Sequence, residues 1–262
     1  MSSDRNPPPS NKDLLILLGL FVGAIVFVVW VLNGALNLLI GAIPPAAEQQ
    51  LGRVMIPALE ELATEPETQD KLNALLDQLE THLPEKQQER DYRLLYIPDE
   101  TVNAMAVPGD VVVVYQGLID RVESENELMM VLGHELGHFA NRDHLRGIGR
   151  AIAIQLAISA FLGDVSGLPA LGVGALEHLS RAQFSQSQER QADELGLELL
   201  NAHYGHVNGA TDFFARLAAE PRLDIPFLGS HPAPGKRVKT IEKWIKQRGY
   251  RQEVTAPLNL GG

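Results

Sequence analysis

The chain contains no cysteine. This absence excludes a disulfide framework, a thiolate zinc site and a cysteine nucleophile, and it leaves histidine, aspartate and glutamate as the only strong metal ligands. Positive charge is also in deficit, because 22 lysine and arginine residues stand against 33 aspartate and glutamate residues. With a formal net charge of −11, the chain is a poor binder of phosphate backbones, so we expect no nucleic-acid partner.

Charge is absent from the whole stretch between Asp13 and Glu48. Residues 14–32 of that stretch read LLILLGLFVGAIVFVVWVL, which is long enough to cross a bilayer core of about 30 Å as one helix. We predict a tail at 1–13 and a single membrane-spanning helix at 14–32. The alternative is a cleaved signal peptide, whose apolar core usually has only about 7–15 residues.

The basic residues around this span predict its orientation. Arg5 and Lys12 precede the span, whereas the first basic residue beyond it is Arg53. The positive-inside rule therefore places the N-terminus in the cytoplasm and the rest of the chain on the outer side of the cell membrane, which is the periplasmic side in a bacterium. Gly19 and Gly23 form a GxxxG motif that would let two such helices pack into a homo-oligomer.

The remaining sequence predicts one large domain. We expect a linker and a membrane-proximal helix at 33–65, the domain at 66–255 and a C-terminal tail at 256–262. Residues 151–176 are apolar apart from Asp164, which raises the alternative of a second span. Their uninterrupted apolar run, AIAIQLAISAFL, has only twelve residues, so its length favours a buried or membrane-facing helical hairpin.

The pentapeptide HELGH occupies residues 134–138. On a helix, His134 and His138 project from the same side one turn apart, so both imidazoles can reach one metal ion. Glu135 is rotated away from the pair and can instead reach a water on the metal. Zinc lowers the pKa of such a water to about 7, and a carboxylate can accept its proton. The alternative is an ordinary buried helix with two histidines four residues apart.

A third ligand is needed, and the stretch FSQSQERQADELG offers one. Glu189 and Asp193 are four residues apart and share one face of a predicted helix. Glu189 could complete a His-His-Glu set that leaves one position open, while Asp193 could accept a proton from the far nitrogen of a ligating histidine. The alternative is a solvated acidic helix face, because Glu194 and Glu198 are close by.

Three spaced motifs together resemble one enzyme family. HELGH at 134–138, E-x-x-A-D at 189–193 and SHP at 230–232 are similar to motifs of the HtpX-like and Oma-like gluzincin metallopeptidases, the family that also holds the CAAX prenyl protease. NAMAVPGDVVVVYQGLI and RQADELGL extend the resemblance over roughly residues 92–245. One departure is Ser185-Gln186, where family members usually carry S-R.

The resemblance implies a fold and a site. The fold would be α+β and mostly helical, a zincin-type domain with a small β-sheet. One zinc ion per chain would be bound by His134, His138 and Glu189, with Glu135 as the base. His231 would help to hold the oxyanion of the transition state.

The run VVVVY has two interpretations, a buried core strand or an edge strand to which an extended substrate adds. The resemblance implies the edge, and hence unfolded or extended polypeptide substrates and a role in quality control of membrane and envelope proteins. Two alternatives stay open: a non-catalytic chaperone or scaffold with a structural zinc site, and a soluble secreted protease that loses its N-terminal segment. The residues expected to bind substrate are Val111, Val112, Val113 and Val114.

Overall fold

The computed structural model describes residues 10–150, 183–220 and 225–260. The chain divides into two compact units at the bond between Ile43 and Pro44. Within the described residues helices predominate and one small sheet is present, which confirms the predicted fold class. The predicted hairpin at 151–176 lies outside the described residues.

The described helices and strands follow in chain order. The helices are α1 Asn11–Ala42, α2 Pro45–Glu60, α3 Pro66–Glu80, α4 Glu85–Gln88, α5 Gln116–Ile119, α6 Glu125–Ala140, α7 Gln186–Tyr204, α8 Asp212–Ala219, α9 Pro226–Ser230 and α10 Pro234–Arg248. The strands are β1 Arg93–Ile97, β2 Ala104–Val107 and β3 Val111–Tyr115.

The first unit is the single helix α1. Ser10 caps it by exchanging hydrogen bonds with Asp13. Its 32 residues give a length of about 48 Å at 1.5 Å per residue, which exceeds the bilayer core. Among the described residues it is the one helix long and apolar enough to cross a membrane. The predicted span at 14–32 lies inside it.

The second unit begins with α2. We expected residues 33–65 to hold a linker before a helix, whereas only Ile43 and Pro44 separate α1 from α2. Pro45 suits the first helical position, where its fixed φ fits the helix and its missing N–H is not needed. α2 covers one face of the sheet and belongs to the same compact unit as the following helices. Its buried side chains in this layer are Met55, Ile56 and Leu59.

In the described part of the chain the sheet has three strands, in the order β1-β3-β2. β3 pairs with β1 in parallel and with β2 in antiparallel orientation. The expectation that Val111–Val114 form an edge strand is therefore wrong, because β3 has a hydrogen-bonded neighbour on each side. Its four valines are fully buried, as the unbroken apolar run of a central strand requires.

The edge of the sheet beside β3 is β2. The backbone N–H of Tyr115 donates to the carbonyl of Asn103 at 3.2 Å. Ladder hydrogen bonds alternate along an antiparallel pair, so the backbone groups of Ala104 and Ala106 point away from β3. Among the described residues, the strand edge expected for β3 thus belongs to β2, whose four residues are buried.

Helices α6 and α7 form the centre of the domain. Every residue of α6 from Asn126 to Phe139 is buried. A Cβ atom added to Gly137 would lie 2.6 Å from Cα of Ala192, a distance that real Cβ atoms do not show. Glycine at this point lets the two backbones touch, and the close approach brings side chains of both helices within reach of each other.

The flanks of the domain complete its core. Four leucines on one face of α3 are buried: Leu72, Leu75, Leu76 and Leu79. The predicted tail at 256–262 is bonded to the domain where it is described, because Ala256 donates to Asn126 at 2.7 Å and Lys71 donates to the carbonyl of Leu260 at 3.0 Å.

Candidate metal centre

The helix α6 places His134 and His138 on one face, one turn apart. Both side chains are fully buried. Their Nε2 atoms lie 3.1 Å apart and face the same point. This is the arrangement that a shared ligand requires, and it follows from the helical period alone.

Glu189 comes to this point from the first turn of α7. Its Oε1 lies 3.4 Å from Nε2 of His138, and its Oε2 lies 3.9 Å from Nε2 of His134. Ser185 fixes the start of α7 through a capping box with Gln188, which sets the rotation of the helix. The structure therefore brings together all three side chains that the sequence proposed as metal ligands.

His231 joins the same cluster from the residue that follows α9. Its Nδ1 lies 3.1 Å from Nε2 of His134 and 3.0 Å from Oε1 of Glu189. Its ring stacks on Phe227, with ring centroids 4.5 Å apart. The backbone N–H of Phe227 donates to the carbonyl of Val102, which ties α9 to the start of β2. His231 thus brings a fourth candidate donor atom, the third nitrogen, to the centre.

Two aspartates set the tautomers of the α6 histidines. Asp193, which the sequence proposed, lies 2.9 Å from Nδ1 of His134 through its Oδ1. Asp143, which sequence reasoning missed, lies 3.0 Å from Nδ1 of His138 through its Oδ2. A carboxylate that accepts from each Nδ1–H directs Nε2 of both histidines toward the same point, where a cation can bind them.

The electrostatics of the cluster attract positive charge. Burial and the nearby Arg237 lower the pKa of His134 to about 4. Burial also acts to lower the pKa of His138, but its hydrogen bonds with Asp143 and Glu189 outweigh that effect and raise the pKa to about 9. The pKa of Glu189 is lowered, because surrounding cationic groups overcome its burial. A negatively charged carboxylate therefore faces histidine nitrogens in an interior site.

The residues present fit a zinc ion. The ligand atoms of His134, His138, Glu189 and His231 all lie within 4.8 Å of one another. Zinc bonds of about 2.0–2.2 Å in a tetrahedron place ligand atoms roughly 3.3 Å apart, which matches the separations found here. A nitrogen and oxygen donor set with no sulfur is also one that zinc accepts.

Glu135 lies beside the cluster without joining it. Both carboxylate oxygens are buried and make no hydrogen bond within the described part of the chain. Oε1 lies 3.6 Å from Nε2 of His231, and that nitrogen also has no hydrogen-bond partner among the described residues. A buried carboxylate with no partner is costly, so its place beside the ligand cluster indicates a role in chemistry.

Arg237 is a second residue that sequence reasoning missed. It is 5% exposed, and its Nε and Nη2 bind both oxygens of Asp193. Its Nη1 lies 3.0 Å from Oε2 of Glu189, and its guanidinium carbon lies 4.0 Å above the ring centroid of Phe214. One arginine thus neutralises two carboxylates that lie four residues apart on α7.

A cavity lies beside one flank of the centre. A partly open cavity of about 180 Å³ adjoins Glu189 and Arg237, with Pro232 and Lys236 in its wall. The four side chains of the cluster are almost completely buried. Glu189 is the member of the cluster that lines this cavity.

A metal centre on an HExxH helix, inside a mostly helical domain with a small sheet, places the molecule among the metallopeptidases. Peptidase family M48 matches residues 63–245, well over half of the chain, and the chain belongs to this family. M48 metalloproteases use zinc, so the enzyme class predicted from the sequence, a zinc metalloprotease, is confirmed.

Three relatives illustrate the similarity. The chain is 30% identical over 172 residues to the mitochondrial metalloendopeptidase OMA1 of Schizosaccharomyces pombe, covering 63% of this chain and 50% of that protein. It is 32% identical over 155 residues to the metalloprotease LoiP of Escherichia coli, covering 57% and 61% of the two chains. It is 34% identical over 149 residues to the metalloprotease YcaL of Escherichia coli, covering 55% and 58%. The chain thus spans between half and two thirds of each.

Proposed function

We propose that this protein is a membrane-anchored zinc endopeptidase that hydrolyses unfolded, damaged or misassembled membrane or envelope proteins. One observation carries the proposal: two imidazoles of α6 and a carboxylate of α7 meet at one buried point, with the free carboxylate of Glu135 beside it. The names of the relatives, which are metalloendopeptidases and metalloproteases, support the same conclusion.

His134, His138 and Glu189 would hold the zinc ion. When bound, zinc supplies a Lewis acid that polarises a carbonyl and makes a water more acidic. Glu135 accepts a proton from the attacking water while the oxygen of that water bonds to the peptide carbon. Glu135 then passes that proton to the amine when the carbon–nitrogen bond breaks. His231 donates from Nε2 to the oxyanion, because that nitrogen is near Glu135 and has no hydrogen-bond partner among the described residues.

The substrate would bind as an extended strand along β2. The backbone groups of Ala104 and Ala106 point away from β3, and a strand that reaches this buried edge could pair with them. This recognition uses the backbone more than the side chains of the substrate. It therefore suits a protease that acts on unfolded segments of many sequences.

The test compares the purified full chain in detergent with its Glu135→Gln variant. We expect wild type to cleave casein and the variant to lose about 10²–10⁴-fold in rate at equal zinc content. Glu198→Gln, which changes an exposed glutamate of α7, should cleave like wild type. Equal cleavage by Glu135→Gln, or a wild type that binds no zinc, would refute the proposal. Loss of cleavage with cellular function intact would indicate a scaffold.

The role of His231 is tested by His231→Asn. We expect a rate about 10²-fold lower with zinc content unchanged, as for the loss of one oxyanion donor. A variant that loses its zinc instead would show that His231 is a ligand and not an oxyanion donor.

The membrane anchor has its own test. We propose that α1 crosses the membrane once, with the N-terminus in the cytoplasm and the catalytic unit outside. Because the chain has no cysteine, Ser10→Cys and Val254→Cys each provide a single thiol for an impermeant reagent. We expect only the second thiol to react in intact cells or spheroplasts, and the protein to resist carbonate extraction. A shortened N-terminus in the mature protein would instead indicate a secreted protease.

A further inference from the structure

Glu48 lies in the first turn of α2, and its carboxylate is bound by three other side chains. Its carboxylate is completely buried. It accepts hydrogen bonds from Arg90 at 3.0 and 2.8 Å and from Arg142 at 3.0 Å. Nε2 of His144 lies 2.7 Å from its Oε1. This helix precedes the region that matches the M48 family, which begins at residue 63.

Two of these partners, Arg142 and His144, flank Asp143 in the sequence. Arg142 has a φ of 58°, in the left-handed region that residues other than glycine rarely adopt. Such a conformation persists only where surrounding contacts hold it. The hydrogen bonds that Glu48 accepts from Arg142 and His144 hold the backbone on both sides of Asp143 in this turn.

The turn aims Asp143 at the metal centre. Its Oδ2 lies 3.0 Å from Nδ1 of His138. Its Oδ1 accepts from Gln188 at 2.7 Å and from Arg146 at 3.0 Å. A carboxylate that holds the far nitrogen of a metal-binding histidine fixes the orientation and raises the basicity of that ligand.

We propose that Glu48 is a positioning residue for the metal centre, acting through Arg142, His144 and Asp143 on His138. The inference rests on the metal set proposed above. It makes α2 a working part of the catalytic unit, where the sequence suggested a linker and a membrane-proximal helix.

The attachment of α2 to the domain does not depend on Glu48 alone. An effect of Glu48 on the metal centre can therefore be distinguished from an effect on the docking of α2. Met55, Ile56 and Leu59 pack against the sheet in a buried apolar layer. Gly52 lies directly against the turn between β2 and β3, where an added Cβ would be 2.6 Å from the carbonyl oxygen of Pro108. We therefore expect α2 to stay docked when the carboxylate of Glu48 is removed.

The experiment measures zinc affinity of the full chain in detergent by chelator competition. We expect Glu48→Gln to weaken zinc binding about tenfold, within the range for residues behind a ligand, and to change the visible spectrum of the cobalt-loaded protein. Glu60→Gln is the matched control on the same helix, since it breaks the half-exposed ion pair with Arg93, and its affinity should stay within twofold of wild type. Met55→Ala should lower the unfolding temperature with zinc affinity retained.

Coupling to Asp143 gives the decisive result. In an Asp143→Asn background, Glu48→Gln should change zinc affinity less than twofold, because both substitutions break one chain of contacts. Additive losses, or a Glu48→Gln protein that binds zinc like wild type, overturn the inference and leave the proposed protease intact. If Glu48→Gln does not fold, Glu48→Asp is judged by the same criteria, since it keeps the charge and shortens the reach. A wild type without zinc affinity overturns the metal set and this inference together.

Discussion

Arg237 and Asp193 form a two-pronged ion pair in the interior of the domain. Nη2 of Arg237 lies 2.6 Å from Oδ1 of Asp193, and Nε lies 3.0 Å from Oδ2. Asp193 in turn lies 2.9 Å from Nδ1 of His134. The planar guanidinium thus fixes the carboxylate that orients one imidazole of the metal centre.

The first prediction concerns this pair. Arg237→Lys should weaken zinc binding about 10- to 100-fold, because an ammonium group cannot bind both oxygens of Asp193 and reach Glu189 as well. Chelator competition measures the change. Arg248→Lys is the control on the same helix, since Arg248 pairs with Glu194 and Glu198 near the surface. Equal zinc affinity in the Arg237→Lys protein and wild type would contradict the prediction.

The second prediction concerns the contact between α6 and α7. Gly137→Ala should destabilise the protein by about 1–3 kcal/mol, because the new methyl group has no space against Ala192. Its zinc affinity should fall as well, since the ligands on the two helices move apart. Denaturant unfolding and zinc titration test both effects. Gly235→Ala meets only an ordinary contact at 3.8 Å and should be neutral, so equal losses in both variants would refute the steric argument.

The third prediction concerns the substrate edge. Ala106→Pro removes a backbone N–H that points away from β3, so the sheet loses no ladder hydrogen bond. We expect kcat/KM for casein to fall about tenfold, mainly through KM, with zinc content retained. Met105→Pro removes a donor that faces β3 and should destabilise the domain itself. An Ala106→Pro protein with wild-type kcat/KM would show that substrate does not pair with β2.

The fourth prediction concerns pH. Burial, with help from Asp77 and Asp91, raises the pKa of Glu80 to about 7. The folded state therefore favours the protonated acid, and this contribution to stability is lost as the pH rises from the unfolded value near 4.3 through 7. Glu80→Gln should become more stable than wild type by about 1 kcal/mol at pH 8, after discounting for partial exposure. Unfolding temperatures from pH 5 to 8 should show a widening gap, and a constant gap would contradict the prediction.

The candidate site residues were predictable from the sequence because they form two pairs, and the members of each pair lie on the same helix. The helical period alone puts His134 and His138 on one face, and it does the same for Glu189 and Asp193. Asp143 was not predictable, since it lies beyond the end of α6 and reaches His138 only through the left-handed turn at Arg142. Arg237 is 44 positions from Asp193, and no local pattern indicates that contact.

The order of the strands was also beyond local patterns. The apolar residues Val111–Val114 fit a strand that is covered on both faces. They do not indicate which strands pair with it. β1 pairs on the far side of β3, and α2 covers one face of the resulting sheet. Both are long-range contacts, so the interpretation as an edge strand relied on resemblance and failed.

His134 and His231 are 97 positions apart in the sequence. This separation affects when the centre can form during synthesis. On the proposed ligand set, a ribosome must pass residue 189 before the third ligand exists, and it must pass residue 231 before the oxyanion donor does. The helices that carry these groups must then dock before any metal can be held. On the proposed function, a nascent chain that has not yet reached residue 231 therefore cannot hydrolyse peptide bonds.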